Sequence, residues 1–511
     1  MKSLQFLSRN FLVQSRHIVA LGAVLGATLC GLWLIASPTQ AANTWDAGGS
    51  SQWWFDPVNW SKEVLPPNND AANAVGDLQI NIGTFTGDLG EGVVYDPAND
   101  PFFAAAQGMT YPSGGYGPQI FDNMYISRNT TFSNLLTIKG DINFIDGIVI
   151  GRSSGVDGVA TTGRINQLSG VFSIPNDEFD LAGADTSNAG IGNGTYDYRG
   201  GTLDIGATGG PGLRMSHGSN STNGTTGEAT GASGIARFIV HNPNSGGYVR
   251  SFDVAVASYA GVAVATDGGT TIRDPDGVTR GVGIFEFHYE NGQTRPFQVP
   301  HNLSINNGFD AATGGTRSSR LELVLSEAAC TGAACVPNDI GLFDVDFGGI
   351  FSGSIQGTGD LNGDTLNDQV FSSADASTNY FEGDTVSASF GGIRYDWTIS
   401  YTGDISWNDA DISDVGTILG AGNGTDVVLI GLGSEAVGLA GDFDMDGDVD
   451  GHDFLVWQRN PGVGSLTEWQ NNYGMPPLTA NVGAVPEPGS LLLMSAAALS
   501  LIGLRRRSTQ G

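Results

Sequence analysis

The chain has 511 residues, with 53 acidic against 22 basic side chains and a formal net charge of −31 at pH 7. A surface this acidic repels nucleic acid and anionic membranes, so nucleic acid is excluded as a partner, while divalent cations are attracted. Charged residues are only 15% of the chain and 77 residues are glycine, which argues against a disordered acidic tail and for an all-β protein with many tight turns.

Lys2, Arg9, Arg16 and His17 precede an apolar run from Ile18 to Ala36, and Ser37-Pro38-Thr39-Gln40-Ala41-Ala42 follows. A basic start, an apolar stretch and small residues at its end predict a signal peptide over residues 1–42, cleaved after Ala41 or Ala42. Residues 43–124 read as an aromatic N-terminal cap region. Its Trp45, Trp53, Trp54, Phe55 and Trp60 can close the first layer of a β body. Alternatively, the four indoles offer flat faces on which sugar rings stack.

Residues 125–335 contain short β-type runs such as Asp141–Ile145, Arg237–Val240, Val254–Ala257, Ile284–Tyr289 and Leu321–Leu325. Apolar and polar residues alternate, and helical periodicity is nearly absent. Asn-Gly pairs at Asn193, Asn223, Asn291, Asn307, Asn362 and Asn423 can each supply the positive φ values of a tight turn. The segment Gly163–Ile174 aligns without gaps on Gly194–Ile205, matching glycines at both ends and pairing Ile165 with Tyr196, Phe172 with Leu203 and Ile174 with Ile205. Weaker echoes begin at Gly234 and Gly283. Strand–turn–strand units at a fixed offset predict a parallel β-solenoid in which each rung buries its apolar side on the next. An antiparallel β-sandwich is the alternative. These units resemble the autotransporter-associated β-strand repeats of surface proteins.

Cys330 and Cys335 are the two cysteines left after signal removal, and an even pair in an exported chain predicts a disulfide. Residues 336–437 read as a second β region, with strands over Gly391–Tyr401 and Thr425–Ile430.

Residues 438–480 carry the strongest chemical signal. Asp442, Asp444, Asp446, Asp450 and Asp453 fall at positions 1, 3, 5, 9 and 12 of a calcium loop, Gly447 stands at position 6, and Asp448 offers its backbone carbonyl at position 7. Clustered carboxylates repel one another unless a hard cation neutralises them, so Ca2+ is the expected cofactor. A short helix from Asp453 to Asn460 and a second from Leu466 to Tyr473 follow. The whole resembles a type I dockerin, which pairs two loop–helix units. Here the second unit has no Asp-x-Asp-x-Asp run, so only the first loop's ligands carry over and a cohesin partner does not follow. Two other acidic stretches, around Asp360–Asp368 and Asp404–Asp414, lack this spacing.

The chain ends on Pro486-Glu487-Pro488, an uncharged run through Leu504, and Arg505-Arg506-Arg507. The apolar run is long enough for one C-terminal transmembrane helix, and the arginines favour a cytoplasmic end. This tail, residues 485–507, resembles the PEP-CTERM sorting signal. The resemblance implies export through the inner membrane and transient anchoring. An exosortase-type protease then cleaves near the motif and releases the protein to the cell surface or extracellular matrix.

No catalytic residue is predicted. Gly151-Arg-Ser153-Ser-Gly155 lacks the following helix of an esterase elbow. His217, His241, His288, His301 and His452 show no metal-binding spacing. Lys62 and Lys139 are the only lysines beyond the signal region, which disfavours a lyase acting on an anionic polysaccharide. The reading is therefore a mainly β, solenoid-like body with a small helical calcium module, serving a structural or adhesive role in an extracellular polysaccharide matrix. The rivals are a polysaccharide lyase or glycoside hydrolase, and a carbohydrate-binding protein.

Overall fold

Alternating sequence turns one face of each short strand inward, and a strand so short needs neighbours on both sides to bury that face. The computed structural model describes most of residues 43–474. Residues 1–42 and 475–511 lie outside the described part, as do 62–77, 81–91, 108–118, 128–132, 152–159, 183–190, 217–233, 258–279, 346–353, 357–368, 407–416 and 444–448, besides shorter stretches.

Three strands make a rung. Ala160–Gln167, Val171–Ile174 and Glu178–Leu181 form one, and Ile191–Tyr198, Thr202–Ile205 and Gly212–Met215 form the next. Each strand pairs in parallel with its equivalents one rung away, giving three sheets. We call the sheet holding Ala160–Gln167 sheet 1, that holding Val171–Ile174 sheet 2, and that holding Glu178–Leu181 sheet 3. Sheet 3 begins with Asn43–Trp45 on Leu78–Ile80 and ends at Ser354–Gln356. The body is thus a parallel β-solenoid, and the sandwich alternative does not describe it. The last rung, Gly315–Leu325, Ile340–Asp344 and Ser354–Gln356, runs across the boundary expected at residue 335.

The pairing register is the one legible in the repeat: Gly163 lies on Gly194, Ile165 on Tyr196, Phe172 on Leu203 and Ile174 on Ile205. Gly283 lies on Ala236, which lies on Gly194, so that echo is in register. Gly234 stands two residues before Ala236 and is out of step.

In-register pairing stacks like on like inside. Leu136, Ile165, Tyr196, Phe238, Phe285 and Leu321 form one buried column. Phe172, Leu203, Val249, Phe297 and Phe343 form another. The rings of Tyr196 and Phe238 are 5.1 Å apart and stacked, and those of Phe238 and Phe285 are 5.5 Å apart. Burying each such side chain contributes about 1.5–3 kcal/mol, and the gain recurs at every rung.

The corners are selected by backbone geometry. Between sheets 1 and 2, Gly170, Gly201 and Gly247 have φ of +83°, +84° and +101°. A Cβ on Gly201 would lie 2.2 Å from the Gly170 carbonyl oxygen, so the stack admits only glycine. At the end of sheet 3, Ser127, Gly151, Ala182, Ser216 and Ala257 all adopt positive φ. Ser127, Gly151, Ala182 and Ser216 donate their backbone N–H to a carbonyl one rung away, at 2.8–3.0 Å. These bonds offset the cost of left-handed backbone in non-glycine residues, about 1–2 kcal/mol each.

Asn291-Gly292 makes the tight turn its sequence suggests, closed by the antiparallel bridge of Glu290 with Gln293. Asn193-Gly194 does not: it lies inside the strand Ile191–Tyr198, where the Asn193 side chain accepts a hydrogen bond from Ile235 N at 2.9 Å. Rung stacking overrides the local turn preference there. Beyond the last complete rung, Phe371–Ser373 still pairs in parallel with Gly315–Leu325, and the remaining described strands pair antiparallel. Ile340–Asp344 pairs with Asp426–Ala436, which pairs with Ile393–Ser406, which pairs with Thr385–Phe390. Buried Asp426 bridges two strands there, accepting from Val345 N and Ile405 N at 2.7 Å each. Cys330 and Cys335 are disulfide-bonded, with their Cα atoms 6.0 Å apart.

Candidate functional site

The calcium-loop residues fall partly within the described chain. Asp442 and Asp453 are buried, Asp450 is exposed, and Asp444, Asp446 and Asp448 lie outside the described residues. Asp453 joins the two ends of the loop: its Oδ1 accepts from Phe443 N at 2.6 Å and its Oδ2 from Asp450 N at 2.7 Å. Asp450 is the N-cap of the helix Gly451–Arg459, and Asp453 completes a capping box with it. The second helix, Leu466–Asn472, has its own capping box from Ser465 and Glu468. Trp469 Nε1 donates to Asp450 O at 2.6 Å, Asn472 Nδ2 to Ala440 O at 2.7 Å, and Gly474 N to Val449 O at 2.7 Å. The second helix is therefore tied back onto the loop by polar contacts at both ends.

The indoles do not form a platform. Trp45, Trp54 and Trp60 are buried, and only Trp53 is partly open. Trp54 packs edge-on to Trp60 at 5.0 Å and to Tyr95 at 5.6 Å, and Trp60 Nε1 donates to Trp54 O at 2.9 Å. Trp54 N and Val94 N pair with Val94 O and Gln52 O, fixing the aromatic segment on the first strand of sheet 1. Sugar stacking by the three buried indoles is thereby overturned, because an aromatic cluster at an open end of a solenoid gains more by covering the core. The expected signal peptide, the transmembrane helix and the motif residues Pro486, Glu487, Pro488, Arg505, Arg506 and Arg507 lie outside the described residues. No helix among the described residues is long and apolar enough to cross a membrane.

Among the described residues, a dense constellation of functional groups stands on the outer face of sheet 1, and the sequence spacing does not reveal it. Asp197, Glu286 and Glu322 point outward between the inward columns, with His241 and His288 one step further along their strands. The Asp197 side chain is fully covered, paired with Arg164 and, at 2.9 Å, with Arg199. His241 Nε2 lies 3.3 Å from its Oδ1. Burial pushes the Asp197 carboxyl up, but His241, Arg199 and Arg164 outweigh this and hold it at about 2. Glu286 pairs with Arg237, which also reaches Glu322 at 2.7 Å, and with His288 Nε2 at 2.7 Å. Burial opposes ionisation of Glu286, yet His288 and Arg237 keep it below the usual carboxylate range. His241 Nδ1 lies 2.7 Å from Glu290 Oε1, and its ring stacks on that of His288 at 3.9 Å. Burial pulls the His241 imidazole down, but Asp197 and Glu290 raise it overall. His241 and His288 are far apart in sequence because one rung separates them, and the rung length varies along the chain.

A cleft of about 290 Å3 lies nearby, lined by Gly292–Thr294, Asn338–Gly341, Thr417 and Ile418. The one carboxylate among its described lining residues, Asp339, accepts from Gly431 N at 2.8 Å.

Residues 484–507 match the PEP-CTERM protein-sorting motif. No curated protein and no solved structure matches the chain. A PEP-CTERM signal is recognised by an exosortase, and the chain that carries it is exported and sorted to the cell surface.

Proposed function

We propose that this surface-sorted protein is a structural or adhesive component of the extracellular polysaccharide matrix, with a rigid solenoid body and a calcium-stabilised, dockerin-like helical pair before its sorting tail. The observation that carries the reading is the body itself: its interior is filled by continuous side-chain columns, and among the described residues its faces present cross-rung ion pairs. Arg214 pairs with Asp180 at 2.7 Å on sheet 3, and Arg250 with Asp204 at 2.9 Å on sheet 2, each across one rung. Asp442, Asp444, Asp446, Asp450 and Asp453 would hold the Ca2+, with the Asp448 carbonyl as a further ligand. The exosortase would act while the apolar tail transiently anchors the chain in the membrane.

The test is co-sedimentation of the exported protein with isolated matrix polysaccharide, with the soluble sugar analysed after incubation. Retention of the protein with the polymer intact supports the proposal. Release of oligosaccharides or unsaturated uronates would replace it with a hydrolase or a lyase, and absence of retention with every matrix glycan would remove the adhesive role.

A further inference from the structure

We infer that the outer face of sheet 1 holds a binding site for a divalent transition metal of the zinc class, with His241 Nδ1, His288 Nδ1 and a Glu290 carboxylate oxygen as ligands. One donor atom from each of these three side chains lies within 4.8 Å of the other two. Glu290 Oε1 is 2.7 Å from His241 Nδ1 and 3.7 Å from His288 Nδ1. Zinc bonds of ~2.0–2.1 Å at tetrahedral angles put neighbouring donors ~3.3 Å apart, a spacing these two distances bracket.

Three further observations favour a metal over a simple ion-pair cluster. First, the other nitrogen of each ring faces a carboxylate: His241 Nε2 faces Asp197 at 3.3 Å and His288 Nε2 faces Glu286 at 2.7 Å. A proton held there leaves the Nδ1 lone pair free, and carboxylates behind imidazoles orient them and raise their basicity as ligands. Second, His288 Nδ1 is buried with no hydrogen-bond partner among the described residues, and Glu290 Oε1 at 3.7 Å lies beyond hydrogen-bond length, so a bridging ion would engage it. Third, two imidazolium rings stacked at 3.9 Å would repel each other. A single dication supplies the same charge to the surrounding carboxylates with both rings neutral.

Glu290 is held in place independently of any ion. Its backbone carbonyl accepts from Asn242 Nδ2 at 2.9 Å, Asn291 Nδ2 donates to Asn242 O at 2.7 Å, and the Asn291-Gly292 turn follows directly. Two histidines and one carboxylate leave a fourth position for water or an external donor. Nitrogen ligands also separate this site from the acidic loop of residues 442–453, because Ca2+ takes oxygen ligands only.

The test is titration of the full exported chain with Zn2+ against a competing chromophoric chelator, after stripping with EDTA and in millimolar Ca2+. One Zn2+ is expected per chain. His241→Ala and His288→Ala should each weaken binding by at least about 100-fold, Asp197→Asn and Glu286→Gln by about 10- to 100-fold, and Asp442→Ala should change nothing. Co2+ in place of Zn2+ should give the visible absorption of a tetrahedral nitrogen–oxygen site, and His288→Gln, which keeps bulk and polarity, should abolish it in a protein with unchanged circular dichroism. Failure to compete with the chelator at micromolar Zn2+, or binding that survives His288→Gln, would overturn the site.

Discussion

In the solenoid body, Tyr196, Phe238 and Phe285 are wholly buried and stack on one another rung after rung. In residues 440–474, Val449 is the one buried apolar side chain among those described, while Asp442 and Asp453 are buried with it. Phe454 and Trp469 meet at 4.9 Å but stay half-exposed. The body therefore draws its stability from repetition of an apolar core. The helical pair is organised around carboxylates and caps, and helices of this length are marginal without tertiary support. Acidic residues play opposite parts in the two regions. On the body they sit outside, matched by arginines across rungs; in the helical pair Asp442 and Asp453 are buried at the centre, where Asp453 accepts backbone N–H groups from both ends of the loop.

The sharpest way to break this contrast is to remove a core ring. Phe285→Ala should cost the body about 3–5 kcal/mol, read from chemical denaturation, and leave the calcium response of residues 442–472 unchanged. A parallel loss in both regions would mean they form one cooperative unit.

Alkali should act on the body next. Burial pushes the Tyr198 phenol up to about 12, only partly countered by Arg295, and pushes Tyr196 well above its ordinary value. An unfolded tyrosine ionises near ~10, so the stabilisation from Tyr198 is whole below that pH and drains away as pH rises through about 12. It amounts to roughly 2–3 kcal/mol. Tyr198→Phe should flatten this alkaline loss in a pH series of unfolding curves; an unchanged profile would assign it elsewhere.

The smallest effect belongs to the helical pair. Ser465 Oγ accepts from Thr467 N at 3.2 Å as the N-cap of Leu466–Asn472. Ser465→Ala should destabilise that helix by about 1 kcal/mol, seen as faster amide exchange over residues 466–472 and nowhere in the body.

The fold was legible where neighbouring rungs share both length and chemistry. Gly163–Ile174 and Gly194–Ile205 align because Phe172 must face Leu203 and Ile174 must face Ile205. It faded where insertions change the rung length, which is why Gly234 misled while Gly283 did not. The corner residues Ala182, Ser216 and Ala257 were illegible because alanine and serine do not advertise positive φ. The burial of Trp45, Trp54 and Trp60 was legible as the cap reading, with a sugar platform left open because flat indoles can serve in either role. The His241–His288 pair could have been found by reading outward positions across rungs once the register was known. A search for local metal spacing could not find it.

Hydrogen–deuterium exchange of the full chain with and without millimolar Ca2+ tests the central contrast most directly. The account predicts that Ca2+ slows exchange across residues 442–472 while the rungs from Leu136 to Leu321 exchange at the same rate in both conditions, and that Asp446→Ala abolishes the change. Exchange in 442–472 that ignores Ca2+, or protection of the rungs that depends on it, would contradict the account.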